Sequence, residues 1–391
     1  MKILQIPYWY PPEGGEFCQD QAVLLKKSGI DIDVLANIQM PWRKYGFKIF
    51  AKLFARPFFA QEGNLEVLRN YFWRIPKMKK KNTKRWISKT LKLVDLYIEK
   101  KGKPDIIHVH VALWAGYVAC LVKKKYDIPY VITEHYSIFS NKSEFSRRSF
   151  KDWYSDYLNA AYSNTDYILP VSHQIINTIN QFSSGNRNIC VISNILDNQL
   201  FTYKEKNFQR DKFVFFTANS YNLAKAYDVL LKAFEIVCKQ KQNVELRIAG
   251  RKFDNIVIER LLTKNKNSKG KIKFCGFISC TEVRDELWNA DAFVLASRAE
   301  SQSIATLEAL CTGLPIVCTE VVPEEVAIPM TGYRVQVDNP QVLADAMLLM
   351  IENYKKFDTL AISNHAHQIT DPDLFIEKTK KIYASVLNMK P

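Results

Sequence analysis

The chain has 391 residues, 47% of them hydrophobic and 24% charged, enough for two or three domains of ordinary size with a sizeable core. A formal net charge of +15 implies an anionic partner, and no apolar run approaches the roughly 18 residues that a membrane-spanning helix needs. Eight cysteines lie scattered, mostly in apolar segments, with no C-x-x-C pair and no histidine at metal-ligand spacing; this argues against a zinc module or disulfide framework and predicts buried thiols in a reducing compartment. Short apolar runs alternate with amphipathic stretches along the whole chain. KILQIP comes first, and YPPEGGEF after it holds Gly14, Gly15 and Glu16. Prolines in MKILQIPYWYPPEGG break the apolar stretch that a secretory leader requires, so a cytoplasmic location is expected. DIDVLAN is the next predicted strand, with Asp31 and Asp33 at its start.

Two basic stretches follow. Between Pro41 and Gln61 there are five basic residues (Arg43, Lys44, Lys48, Lys52, Arg56), seven aromatic residues and no acid. This interleaving predicts short helical segments lying in a lipid headgroup layer, each cation near an anionic surface contributing about 1 kcal/mol. After the strand LEVLRN, the run from Lys77 to Lys92 adds eight more basic residues. Partners expected from this charge are an anionic membrane surface, at the inner face of the plasma membrane, and a lipid-linked acceptor. Nucleic acid is not expected, since no helix-turn-helix, zinc-finger or RNA-binding-sheet signature accompanies the charge. DIIHVHV, PYVIT, DYILPVS and NICVIS complete the strands of the first half. A polar, basic stretch over 198–212 then separates them from FVFFTA, VELRIAG, KIKFCGF, DAFVLAS, PIVCT and GYRVQV. This rhythm predicts an α/β protein of two Rossmann-like, doubly wound parallel-sheet domains, over 1–199 and 200–372, facing a central cleft. Ligands in such sheets sit beyond the carboxyl ends of the strands.

The segment ASRAESQSIATLEALCTGLPIVCT (296–319) carries the most chemistry. DAFVLAS delivers Glu300, Ser301 and Ser303 supply hydroxyls and candidate helix caps, and Ile304 opens a helix whose free amides suit a phosphate. Glu308 falls about one turn into that helix, and Gly313 reads as its stop. Two carboxylates so placed suit a sugar nucleotide, one for sugar hydroxyls and one for a ribose.

This segment resembles the E-x7-E motif of the retaining glycosyltransferases of family 4, which have the GT-B fold, and the resemblance covers nearly the whole chain. It implies that Glu300 faces the donor sugar, that Glu308 binds the ribose, and that the amides of Ser301, Gln302, Ser303 and Ile304 contact sugar and phosphate. Gly14 and Gly15 resemble the family's glycine-rich loop near the donor diphosphate and the acceptor, with Glu16 beside them an acceptor-side acid or only a helix-start carboxylate. His135 in TEHYS matches the family's histidine facing the donor sugar. His110 is implied as a supporting or acceptor-side residue, while His108 reads as structural and Glu134 as either the acid beside the histidine or a solvated charge. Asn194 and Asp197 resemble the connection between domains. Lys225 matches the lysine that neutralises the donor diphosphate. Ser220 stands where the family has an arginine, and Arg251 is the candidate substitute. Glu300-Ser301-Gln302-Ser303 replaces the family's Glu-Gly-Phe-Gly, and Gly276 to Ile278, including Phe277, resembles the loop that reads the base. The closing stretch 373–391 resembles the helix that crosses back onto the first domain.

The implied reaction moves a hexose-type residue from a UDP- or GDP-linked donor to a hydroxyl of a saccharide or lipid-linked acceptor, with retention and without metal or other cofactor, in cell-surface polysaccharide assembly. His135, Glu300 and Lys225 are the expected catalytic residues. Rival readings are a sugar-nucleotide epimerase of similar build and a non-catalytic homologue that binds sugar nucleotide or membrane. A metal-dependent enzyme would rest on Asp31 and Asp33 as a D-x-D pair, and a dehydrogenase lacks its G-x-G-x-x-G.

Overall fold

The computed structural model describes residues 1–41, 56–140, 148, 151–184, 188–205 and 211–388. Most of the first basic-aromatic stretch (42–55), residues 206–210 of the connection between domains, and 389–391 at the end of the predicted last helix lie outside the described residues.

The first sheet contains β1 (Lys2–Pro7), β2 (Asp31–Pro41), β3 (Phe58–Glu62), β4 (Leu65–Arg74), β5 (Ile106–His110), β6 (Tyr130–Glu134) and β7 (Tyr167–Pro170), in the order β3-β4-β2-β1-β5-β6-β7. Only the β3–β4 pair is antiparallel. Phe58–Glu62 is thus an edge strand where short helices were expected; with Gly63 at φ 61° the chain turns directly back into β4. The second sheet contains β8 (Phe213–Ala218), β9 (Val244–Ala249), β10 (Ile272–Gly276), β11 (Ala292–Leu295), β12 (Ile316–Thr319) and β13 (Gly332–Val335), in the order β10-β9-β8-β11-β12-β13 and parallel throughout. Apart from β3, both sheets follow the doubly wound order, so each has a crevice where the winding reverses, beside β1 and β5 in one and β8 and β11 in the other. NICVIS is not a regular strand but lies along β7: Ile189 bridges Ile168, Ile168 bonds both Asn188 and Cys190, and Ile192 N–H meets the Pro170 carbonyl at 3.1 Å.

Helices cover both faces: α1 (Glu16–Lys27), α2 (Lys79–Lys101), α3 (Tyr117–Tyr126), α4 (Ser155–Asn164) and α5 (Ile176–Asn180) in the first domain, then α6 (Tyr227–Gln240), α7 (Asn255–Thr263), α8 (Cys280–Trp288), α9 (Ile304–Cys311), α10 (Pro340–Asn353) and α11 (Thr359–Ile369) in the second. The last helix, α12 (Pro372–Asn388), buries Phe375, Ile382, Tyr383 and Val386 with residues of β1 and β2. Each such side chain contributes about 1.5–3 kcal/mol, and the Tyr383 hydroxyl meets His108 Nδ1 at 2.6 Å. The chain therefore ends on the domain where it began. Among the described residues no helix is long and apolar enough to cross a membrane.

Candidate active site

The cleft between the sheets holds a cavity of about 680 Å³, within the ordinary range for a small-molecule site. Its second-domain wall comes from the loops after β8, β9 and β10 and the first turn of α9; Glu16 and Phe17 on α1 close it from the first domain.

Lys225 and Glu300 meet at its edge, Nζ to Oε1 at 2.6 Å. Local chemistry brings each of them there. The Asn222 side chain accepts from the Lys225 amide and caps a short turn over Leu223–Lys225. Arg298 pins that turn through the Leu223 carbonyl at 2.8 Å and reaches Asp228 at 2.7 Å and Asp338 at 2.5 Å. On the other side Ser297 donates its hydroxyl to Glu300 Oε1 at 2.7 Å. Sequence reading found the lysine and the glutamate but missed Ser297 and Arg298, whose roles depend on a pairing between distant segments.

The first domain also holds the Glu300 loop. Ser172 donates to the Ser301 carbonyl at 2.6 Å, and Gln174 to the Glu300 carbonyl at 3.0 Å and the Val321 carbonyl at 2.8 Å. Gln302, expected on the donor, is fully buried and turns the other way: its Oε1 accepts from the backbone and side-chain amides of Asn194, both at 2.8 Å. Its side chain thus joins the domains, and Asn194 has the structural role expected of it.

Helix α9 begins at Ser303, whose left-handed backbone (φ 66°) makes no side-chain cap. The Ser303 hydroxyl bonds Thr306 Oγ1 instead, at 2.8 Å, so the expected Ser303 cap does not form, and Ile304 and Ala305 face the cavity. The helix closes as predicted at Gly313 (φ 79°), with Leu314 N–H on the Ala309 carbonyl and Gly313 N–H on the Leu310 carbonyl, a Schellman pattern. Glu308 lies one turn in and lines the same cavity, where burial pushes its carboxyl up to about 8.

Ser220, Arg251 and Phe277 share the opposite end. The Arg251 guanidinium stacks over the Phe277 ring at 4.2 Å, and both side chains are exposed. The Arg251 carbonyl accepts from Tyr221 N–H, so β9 brings a cation beside the position where Ser220 leaves one missing. Cys280, also in the wall, is the one exposed thiol among the eight cysteines; five are buried and two are intermediate.

The first domain departs more from expectation. Gly15 (φ 84°) is required by packing, since a Cβ there would stand 2.2 Å from the Trp9 carbonyl, whereas Gly14 has open space around it. Glu16, expected on the acceptor side, lines the donor-side cavity opposite Glu308. His135 lies under Phe17, ring centroids 4.5 Å apart, with its Nε2 3.0 Å from His110 Nδ1. Burial lowers its pKa to about 3, so it is a neutral imidazole. His110 is a buried support for His135 and not an acceptor contact, and its own Nε2 has no partner. Cys18 completes this knot, its sulfur and the two rings' nitrogens lying within 4.8 Å of one another, a grouping hidden from sequence spacing. Burial raises the Cys18 thiol pKa well above its ordinary value. Glu134 is fully buried and accepts from Ala112 N–H, Tyr136 N–H and the Tyr162 hydroxyl at 2.6–2.9 Å; it is a loop anchor, not a solvated acid. Asp31 pairs with Lys26 and Asp33 accepts from Tyr97, both at 2.7 Å at the start of β2, away from the cleft.

An acidic pair, an ammonium group and an uncapped helix start across a cleft between two doubly wound domains define a nucleotide-sugar enzyme in outline. Comparison with known proteins agrees. Residues 19–200 match the model of Glycosyltransferase Family 4 and residues 211–353 that of Glycosyl transferases group 1. The chain belongs to this family and is a glycosyltransferase of the GT-B type. It is 27% identical over 340 residues to TuaC of Bacillus subtilis (strain 168), a glycosyltransferase assigned to teichuronic acid biosynthesis, covering 82% of this chain and 81% of that one. It is 24% identical to the N-acetyl-alpha-D-glucosaminyl L-malate synthase of Bacillus anthracis, over 66% of this chain and 68% of that one. Sucrose-phosphate synthase from Thermosynechococcus elongatus superposes with a TM-score of 0.82 at 15% identity, covering 99% of this chain and 100% of that one. HepE of Anabaena, solved with UDP and glucose, gives 0.73 at 16% identity over 98% and 100%.

Proposed function

We propose that this enzyme transfers a sugar from a nucleotide diphosphate sugar, with a UDP-linked donor preferred, to a hydroxyl of a saccharide or lipid-linked acceptor, with retention and without a metal ion, in the assembly of a cell-surface polysaccharide. The Lys225–Glu300 contact at the mouth of α9 carries the reading. Lys225 leaves Glu300 to neutralise the departing diphosphate, together with the first amides of α9 and with Arg251. These donors are fixed before the bond breaks, so they favour the transition state over the ground state. Glu300, released, takes the sugar hydroxyls and the developing positive charge, and Glu308 takes the ribose. Rotation of the Phe17 ring exposes His135 to the sugar near its anomeric carbon. Lys225 and the helix amides supply the counter-charge that a divalent ion supplies in D-x-D enzymes. The relatives' polysaccharide assignment and the HepE complexes with UDP and UDP-glucose support the donor class and the pathway. The basic residues of the first domain support peripheral attachment to an anionic membrane.

The test is a panel of UDP- and GDP-sugars followed by thermal shift, then product analysis by NMR for anomeric configuration, with and without EDTA. Glu300→Ala with near-normal turnover, an inverted product, or loss of activity in EDTA would refute the corresponding part.

A further inference from the structure

The first domain holds a second cavity. Tyr136, next to His135 in the chain, lines a cavity of about 230 Å³ beyond the carboxyl ends of β1, β5 and β6, whereas Phe17, packed on His135, lines the donor cavity. Six of the second cavity's thirteen lining residues are aromatic, Trp9, Trp114 and Trp153 among them, and Arg74 and Lys79 also line it. Trp114 and Trp153 stack at 5.2 Å. Such rings present apolar faces to the C–H face of a sugar ring.

Charge sets the rest of the chemistry. No carboxylate lines the cavity, and among the described residues neither Arg74 nor Lys79 has an ion-pair partner. The cavity opens onto the start of α2, whose first turn carries Lys79, Lys80 and Lys81 and no acid. Cations at a helix start oppose its positive end, at about 0.3–1 kcal/mol each. The wall itself is strained: Val111, β-branched, sits at φ 77° and Trp114 at φ 71°, each costing about 1–3 kcal/mol. Backbone strain of this kind collects at functional sites.

We propose that this cavity is the acceptor subsite and that it takes a sugar bearing a phosphoryl or carboxyl group, its ring on the tryptophan faces and its anion on Arg74 and Lys79. A guanidinium fork beside an ammonium suits either anion. A flat anionic membrane would use the exposed lysines of α2 but has no use for a recessed aromatic cavity, which favours the saccharide. The assignment as an acceptor subsite rests on the transferase reading above.

The test is a tryptophan-fluorescence titration of the full chain at low salt with a hyaluronan tetrasaccharide (carboxylate), glucose 1-phosphate (phosphate) and maltotetraose (neutral). It is repeated on the R74Q/K79Q double variant, and UDP affinity is measured separately by calorimetry. At least one acidic probe binds tenfold or more tighter than maltotetraose, and the stronger of the two identifies the anion. The double variant loses that preference while its UDP affinity stays unchanged. Equal binding of acidic and neutral probes, or a preference that survives in the double variant, overturns the proposal. So does a double variant that loses flotation with phosphatidylglycerol vesicles when no acidic sugar binds the parent protein, since the surface is then a membrane contact. Acidic-sugar binding in a protein that binds no UDP supports the anionic-sugar site and sinks the transferase reading instead.

Discussion

Replacing Glu300 by Gln separates the roles assigned to the central ion pair. The Lys225 and Glu300 side chains are 21% and 7% exposed. At their 2.6 Å separation, the gross attraction at an effective dielectric of ~20 is about 6 kcal/mol. Desolvation offsets most of it, so the net cost of breaking the pair is about 1–3 kcal/mol. Glutamine keeps the shape, and its carbonyl still accepts from Ser297, but it no longer holds Lys225. The unliganded variant should therefore melt earlier. A diphosphate no longer has to displace a carboxylate, nor sit beside one, so calorimetry should show UDP binding about fivefold or more tighter. Turnover, followed by UDP release from the preferred sugar donor, should fall by about 10²–10³, as when one preorganised transition-state contact is lost. Opposite movement of nucleotide affinity and turnover is the signature. If UDP binding weakened in parallel with turnover, Glu300 would be a structural support and the mechanism would be wrong.

Arg251→Gln should weaken UDP binding by about 1–2 kcal/mol, the worth of a charge-assisted hydrogen bond, with the thermal midpoint unmoved; unchanged affinity would return the arginine's task to no residue here. Ribose hydroxyls favour the ionised form of Glu308, so binding expels a proton, and UDP affinity should rise with pH up to about 8 and level off above it. Glu308→Gln should flatten that profile. His108 and His135, both lowered to about 3 from 6.5, stay neutral in the fold while the unfolded chain takes up protons. Stability is therefore fully present above pH 6.5 and declines as pH falls from there toward 3, by at most about 1.4 kcal/mol per pH unit for each; melting curves of H108Q should show a shallower decline. Cys280, exposed in the donor cavity, should be the first thiol alkylated by a maleimide, faster at higher pH because the thiolate is the nucleophile, and UDP should protect it.

Most of the architecture was legible because it is written locally. KILQIP and FVFFTA are observed strands with the same bounds, and Gly313 ends α9 because only a residue tolerant of left-handed backbone closes that turn beside Thr359. NICVIS does lie beside β7 and bonds to it, but without the continuous ladder that makes a strand, which apolar content alone does not set. The site was half legible. Glu300, Glu308, Lys225 and Arg251 do line or edge one cavity, but nothing in their local patterns indicates that Gln302 turns to Asn194 or that Phe17 covers His135. The Cys18–His110–His135 knot was equally hidden. Each of these is a contact between segments far apart in the chain, fixed only when sheets and domains close. Glu134 shows the same limit: its sequence setting leaves open an acid beside the histidine or a solvated charge, and the fold buries it among three donors.

The grip of Ser172, Gln174 and Asn194 on residues 300–302 means that the donor half is not self-sufficient. Severed at the junction, it would keep its sheet and lose the alignment of its principal acid. In the intact enzyme, any gaping of the jaws must either tear those five hydrogen bonds or carry the acid along with the opposite jaw. The position of Glu300 and the spacing of the two domains are thereby tied to one set of hydrogen bonds.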